Sequence, residues 1–225
     1  MSFNFSPKVV TDGLVLYLDA ANTKSYTSGS TTWNDMSRGG NNGTLVNGPT
    51  FSSTNGGCMV FDGIDDFVSI PNPLNQSNLL QEWSVSAWIN ITTKTRQCLL
   101  GNFNTNLYVS YFDSSQSLLY LNQGVDDYYT YGGNLSNIGW VLATFRFKNS
   151  TGQRTIYRNG TNISTTGPNF TSTPKGIQST LTIGYNIANA AAGFQGSLSN
   201  IMIYNRYITD QEILQNYNAT KSRFI

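Results

Sequence analysis

The sequence predicts an all-β fold in which two antiparallel sheets pack face to face, with one short helix at the carboxyl end. Three observations carry that prediction. Runs of alternating apolar and polar residues recur along the 225 residues, and a period of two is that of a strand with one buried face. Clusters rich in Gly, Asn, Asp and Ser separate the runs and supply the positive-φ positions and side-chain turn bonds that chain reversals need. One stretch near the carboxyl end carries a helix-start signature.

The first run is LVLYLDA from Leu14, followed by turn-rich sequence that includes RGGNNGT and TNGG. In FDGIDDFVSI, residues 61–70, Phe61 ends one strand, Phe67, Val68 and Ile70 belong to the next, and Gly63 marks a tight hairpin between them. SVSAWINI from Ser84 puts Val85, Ala87, Ile89 and Ile91 on one face and Ser84, Ser86, Trp88 and Asn90 on the other, as in a half-buried strand. LYVSYF, SLLYLN, WVLATFRF, RTIYRNG, STLTIGY and GSLSNIMIYNR continue the series. About a dozen such strands make a two-sheet sandwich. In ITDQEILQNYNATKSRF, Thr209 can cap the amide of Glu212 while Glu212 reaches back, and Ile208 can staple onto Ile213. One domain over residues 12–225 is expected, with residues 1–11 as a flexible amino-terminal arm.

Composition narrows the function. A 39% apolar fraction fills a core, while only 11% of residues are charged and the net charge is +1. With no basic run to gather phosphates, neither nucleic acid nor an anionic membrane is an expected partner. Histidine is absent, which removes the commonest general base, the usual nucleophile triads and the usual zinc ligand. Cys58 and Cys98 lie in apolar runs and are expected as buried thiols, with a disulfide between them as the alternative. MSFNFSPKVV lacks the layout of an export signal, and no apolar run approaches the roughly 18 residues of a membrane span, so no insertion is expected.

Two constellations could carry function. Asp62, Asp65 and Asp66 crowd three carboxylates into five positions. They read first as turn architecture binding backbone amides, next as calcium ligands, and last as a catalytic pair. The stretch GVDDYYTYGGN offers Tyr128, Tyr129 and Tyr131 beside Asp126, Asp127 and Asn134, a combination able to stack on a sugar ring and hydrogen-bond its hydroxyls. In a strand, Tyr129 and Tyr131 share a face and Tyr128 takes the other; core filling is the competing reading of any one of them. NIANAAAGFQG, residues 186–196, with Phe194, is a second candidate rim.

The ordered set GLVLYLDAANTKSY, WNDMSRGGNNGTLVNGPTF, MVFDGIDDFVSI, WSVSAWINI, GWVLATFRFKNSTGQRTIYRNGTNIS and the final block LTIGYNIANAAAGFQGSLSNIMIYNRYITDQEILQNYNATKSRF resembles the LamG-like branch of the concanavalin A-like lectin/glucanase superfamily. The resemblance implies that the sandwich is a jelly roll, and that a calcium ion at its rim is a possible cofactor. The superfamily's glucanases use a Glu-x-Asp-x-x-Glu strand. Here the only glutamates are Glu82 and Glu212, so no enzymatic activity is expected, and a glycoside hydrolase ranks behind a calcium-dependent lectin. LVLYLDAAN, the W-x-D-x-S block and NYNATKSRF are similar to structural proteins of tailed bacteriophages. That similarity implies a virion protein, a capsid or tail decoration or adhesion module, assembled in a host cytoplasm and then extracellular. Its partners would be other virion proteins, further copies of itself in a homo-oligomer, and cell-surface glycans.

Overall fold

The computed structural model describes residues 7–74, 82–92, 96–102, 108–113, 117–122, 127–133, 135–165, 179–185 and 193–225. In chain order the strands are β1 (Leu14–Asp19), β2 (Thr32–Trp33), β3 (Gly43–Val46), β4 (Thr50–Ser52), β5 (Cys58–Asp62) and β6 (Phe67–Pro71). Then come β7 (Glu82–Ile91), β8 (Arg96–Asn102), β9 (Tyr108–Asp113), β10 (Ser117–Asn122) and β11 (Asp127–Gly132). The series ends with β12 (Val141–Lys148), β13 (Gln153–Arg158), β14 (Thr161–Asn162), β15 (Thr180–Ile183) and β16 (Gln195–Tyr204), followed by helix α1 (Asp210–Thr220).

They form two antiparallel sheets. Sheet A runs β14-β13-β12-β7-β16-β5-β4 with β1 also on β16, and sheet B runs β11-β10-β9-β8-β15-β6-β3-β2. Between them lies one core. Leu16, Val85, Ala87, Ile89, Phe145 and Ile203 from sheet A meet Val68, Ile70, Leu181 and Ile183 from sheet B, all buried. Burying each large apolar side chain stabilises the fold by roughly 1.5–3 kcal/mol.

Residues 61–70 are not a hairpin. β5 pairs with β4 and β16 in sheet A, whereas β6 pairs with β3 and β15 in sheet B, so the acidic turn carries the chain from one sheet to the other. Nor is β7 half-buried. Ser84, Ser86 and Trp88 are as buried as the residues facing the core, because α1 covers the outer face of sheet A.

The cover is specific. Thr209 and Glu212 form the expected capping box, and Ile208 and Ile213 are buried with Val10, Tyr157, Met202 and Tyr204 in a second apolar cluster. Trp88 stacks on Phe224 with ring centres 4.1 Å apart and on Tyr217 at 6.0 Å, and its indole N–H donates to Thr220 Oγ1 at 2.6 Å. Arg146 lies between the rings of Tyr157 and Tyr207 and donates to Thr155 Oγ1, the Ile208 carbonyl and Asp210 Oδ1. At the other end of α1, Arg223 grips both oxygens of Asp19.

The expected arm is docked from Lys8 onward. Val10 N–H donates to Asn216 Oδ1, Asn216 Nδ2 donates to Tyr204 Oη, and Tyr204 O–H returns to the Val10 carbonyl. In that closed ring the buried amide satisfies the Val10 N–H and the phenol, and the phenol satisfies the Val10 carbonyl. Residues 1–6 lie outside the described residues. Cys58 on sheet A and Cys98 on sheet B are buried free thiols, which corrects the disulfide alternative, and burial pushes both above the usual thiol range. Among the described residues no helix is long and apolar enough to cross a membrane.

Candidate functional site

The acidic turn begins where β5 ends. Gly63 has φ 83°, and a Cβ there would lie 2.7 Å from Cβ of Gln195, so both conformation and space demand glycine. Asp62 Oδ1 accepts from Ile64 N–H at 2.7 Å, and Asp66 Oδ2 accepts from Asp62 N–H at 2.9 Å. Asp65 Oδ2 and the Asp65 carbonyl both take Asn47 Nδ2 at 3.1 Å. The turn reading, carboxylates binding backbone amides, therefore holds for Asp62 and Asp66, whereas the Asp65 carboxylate holds a side-chain amide from a neighbouring loop.

It does not exhaust them. One carboxylate oxygen from each of Asp62, Asp65 and Asp66 lies within 4.8 Å of the others. Asp62 and Asp65 are exposed while Asp66 is buried. Burial raises the Asp66 pKa above the ordinary carboxylate value; the Asp62 N–H bond opposes that rise, and the charges of Asp62 and Asp65 add to it. Three oxygens at this spacing are a hard-ligand set that fits a calcium ion, whose charge would relieve the like-charge crowding.

The surroundings of the turn supply what sequence reasoning missed. Phe67, directly after Asp66, stacks on half-buried Tyr185 at 6.0 Å and 18°. On the other side, Gly48 joins the turn to a shallow cleft, since its Cβ position is 3.7 Å from Asp66 Oδ1. That cleft, about 360 Å³, is lined by Tyr26, Ser28, Ser30, Thr31 and Phe51 among others. Tyr26 and Phe51 form a tilted aromatic pair at its base. The GPTF and TSGS segments look like ordinary turns in sequence, and nothing local reveals that they meet.

The other expected rim residues fare unevenly. Phe194 is buried in the core, edge-on to Phe61 with ring centres 5.6 Å apart, which corrects its place on a binding rim: the loop returns through Phe194 N–H to the Gly184 carbonyl and aims the ring inward. Asp126 and Asn134 lie outside the described residues, and of Asp127, Tyr128, Tyr129 and Tyr131 only the backbone is described. These four fall on β11, with Tyr129 opposite Tyr120 and Tyr131 opposite Leu118, so the strand and the shared register of Tyr129 and Tyr131 are as expected.

Comparison with known proteins completes the picture. A family profile, Laminin G 3, described as concanavalin A-like lectin/glucanases superfamily, matches residues 62–214. The chain belongs to that superfamily. No curated protein matches its sequence significantly. Among solved structures, it is similar to the binding domain of botulinum neurotoxin DC in complex with rat synaptotagmin II. That match has a TM-score of 0.73 and 14% identity over 94% of this chain and 52% of that one. The same neurotoxin domain in complex with SialylT gives a TM-score of 0.71 and 14% identity over 93% and 52%. Trypanosoma rangeli sialidase with the inhibitor DANA gives 0.67 and 16% over 99% and 36%. The superfamily member described here thus spans about half the length of the neurotoxin chains and about a third of the sialidase. At these identities the likeness establishes the lectin-like sandwich and nothing about chemistry.

Proposed function

We propose that this chain is a non-enzymatic, lectin-like carbohydrate-binding module, carried on a bacteriophage virion as a decoration or adhesion protein. The carrying observation is the continuity of the acidic turn with the Tyr26 and Phe51 cleft through Asn47 and Gly48. Carboxylates, hydroxyls and aromatic carbon adjoin on one rim, the mixture that sugar recognition requires. Tyr128, Tyr129 and Tyr131 with Asp126, Asp127 and Asn134 are the second proposed set of sugar-binding residues, on the strength of their residue types in the sequence. The virion placement is supported by the similarity of the LVLYLDAAN and NYNATKSRF blocks to tailed-phage structural proteins, and it makes other virion proteins and further copies of this chain the partners.

Calcium is the proposed cofactor of the rim. Asp62, Asp65 and Asp66 would hold it, and the ion would supply direct coordination of sugar hydroxyls. Saturating calcium should raise the melting temperature relative to excess chelator, because an ion bound by the native state alone stabilises it by about 2.7 kcal/mol at a hundredfold excess over Kd. Asp66→Asn should abolish the response.

A glycan hydrolysis role has less support. Asp62, Asp65 and Asp66 lie close together, but Asp66, the acid with the raised proton affinity, is buried with Oδ2 held by the Asp62 amide. A glycan array run with calcium and with chelator tests the binding reading, and absence of any glycan signal in both would overturn it. Turnover of β-glucans or sialosides by the pure protein would overturn the non-enzymatic part. Mass spectrometry of purified particles that lacked the chain would overturn the virion part.

A further inference from the structure

One patch on the outer face of sheet A is left uncovered by the described residues. The carboxyl-terminal segment covers β7 as far as Trp88; the next outward residue is Asn90. Asn90 lies opposite Ser197, and Ser197 lies opposite Val60, so these three form a row across β7, β16 and β5. Gln195 opposite Asp62 forms a second row, with Thr92 beside it. Together they line an open cleft of about 280 Å³.

The walls of this cleft are held from behind. Gln97, fully buried on β8, donates from Nε2 to the Thr92 carbonyl and accepts the Gln195 N–H at Oε1, both at 2.8 Å. The Thr92 hydroxyl and amide both donate to the Gln195 carbonyl. A buried side-chain amide joining the two walls fixes their separation before any ligand arrives, which is preorganisation. The groups facing the cleft are in the opposite state. The side-chain amides of Asn90 and Gln195 make no hydrogen bond among the described residues, and Asp62 uses Oδ1 for its turn while Oδ2 stays open.

Two amides and a carboxylate lining one open cleft match the vicinal hydroxyls of a saccharide, since each amide can donate and accept and the carboxylate accepts O–H groups. Among the described residues no lysine or arginine lines the cleft, and with no calcium bound the Asp62 carboxylate repels anions. We infer that this cleft is a saccharide subsite for a neutral pyranose unit, separate from the Tyr26 and Phe51 cleft and from β11. The inference rests on the reading of the chain as a glycan-binding module and assigns its ligand class at this position.

The test is a titration followed by amide NMR. The probes are methyl β-galactopyranoside, methyl β-glucopyranoside, methyl α-mannopyranoside and 3′-sialyllactose, each added to the intact chain in excess chelator so that Asp62 carries no calcium. At least one neutral glycoside should shift residues 90–92 and 195–197, and 3′-sialyllactose should leave them unmoved. Asn90→Ala with Gln195→Ala should weaken that binding about tenfold or more. Should the pair unfold, Gln195→Ala alone, at an exposed side chain, should weaken it about threefold or more. Neutral binding that is indifferent to these changes, or a shift of this cleft by 3′-sialyllactose alone, overturns the inference. If the array finds glycans yet no probe moves these residues, the inference fails and the wider reading stands. If the array is empty as well, both fail.

Discussion

Along the outer face of sheet A, the half under α1 and the half beyond Trp88 are built from similar residue types and end in opposite states. In the covered half, Arg146, Ser84, Thr220 and Asn216 each bond a partner on another element. In the open half, the amides of Asn90 and Gln195 face solvent. The physical reason is desolvation: a buried polar group without a partner costs about 1–3 kcal/mol, whereas water satisfies an exposed one without penalty. Spare hydrogen-bonding capacity therefore survives only where the chain leaves its own sheet uncovered, and that is where a ligand can use it. Asn200 departs from the pattern, fully buried on β16 with neither amide atom bonded among the described residues.

The covered half breaks most severely at Trp88. Trp88→Ala removes the stacks on Phe224 and Tyr217 and the bond to Thr220, and should lower unfolding free energy by about 3–5 kcal/mol in urea denaturation. Asn216→Ala opens the ring that joins Val10 to Tyr204 and should cost about 1–3 kcal/mol, with faster amide exchange at Val10 as the local signature. Asn200→Leu sharpens the exception: replacing an unbonded buried amide by an apolar side chain of similar size should stabilise by about 1 kcal/mol, and a loss of stability instead would reveal a satisfied amide.

The smallest effect is acid titration. Glu212 is held down to about 2, chiefly by hydrogen bonds from Arg206. Its folded pKa lies below its unfolded value, so its stabilisation is present above about pH 4.5 and fades as pH falls toward 2. Asp66 has the opposite sign: its pKa is raised, so its ionisation opposes folding and that penalty is relieved as pH falls. Glu212→Gln should flatten the acid-side drop in melting temperature by about 1 kcal/mol equivalent, the scale of a capping box, while Asp66→Asn should steepen it.

Local patterns in the sequence were legible wherever the deciding contacts are close in the chain. The alternation in SVSAWINI and GSLSNIMIYNR identifies β7 and β16, and Thr209 with Glu212 and Ile208 with Ile213 identifies α1, because strand period and capping are properties of a few adjacent residues. β2 and β4, with two and three residues, are too short to carry a period. The hairpin reading of residues 61–70 failed for a different reason. Turn residues specify that the chain reverses, but sheet membership is set by Asp62 meeting Gln195 and Ile70 meeting Leu181, contacts more than a hundred positions away.

The site divides in the same way. That Asp62, Asp65 and Asp66 would cluster follows from the sequence alone, since five adjacent positions with a glycine cannot spread three carboxylates far apart. That Asp66 turns inward while its neighbours stay exposed, that Phe194 leaves the rim for the core, and that Asn90, Gln195 and Asp62 share one cleft were decided only by the packing of two sheets. Burial and pairing between distant strands depend on the whole set of contacts being satisfied at once, and no short stretch of this chain contains that information.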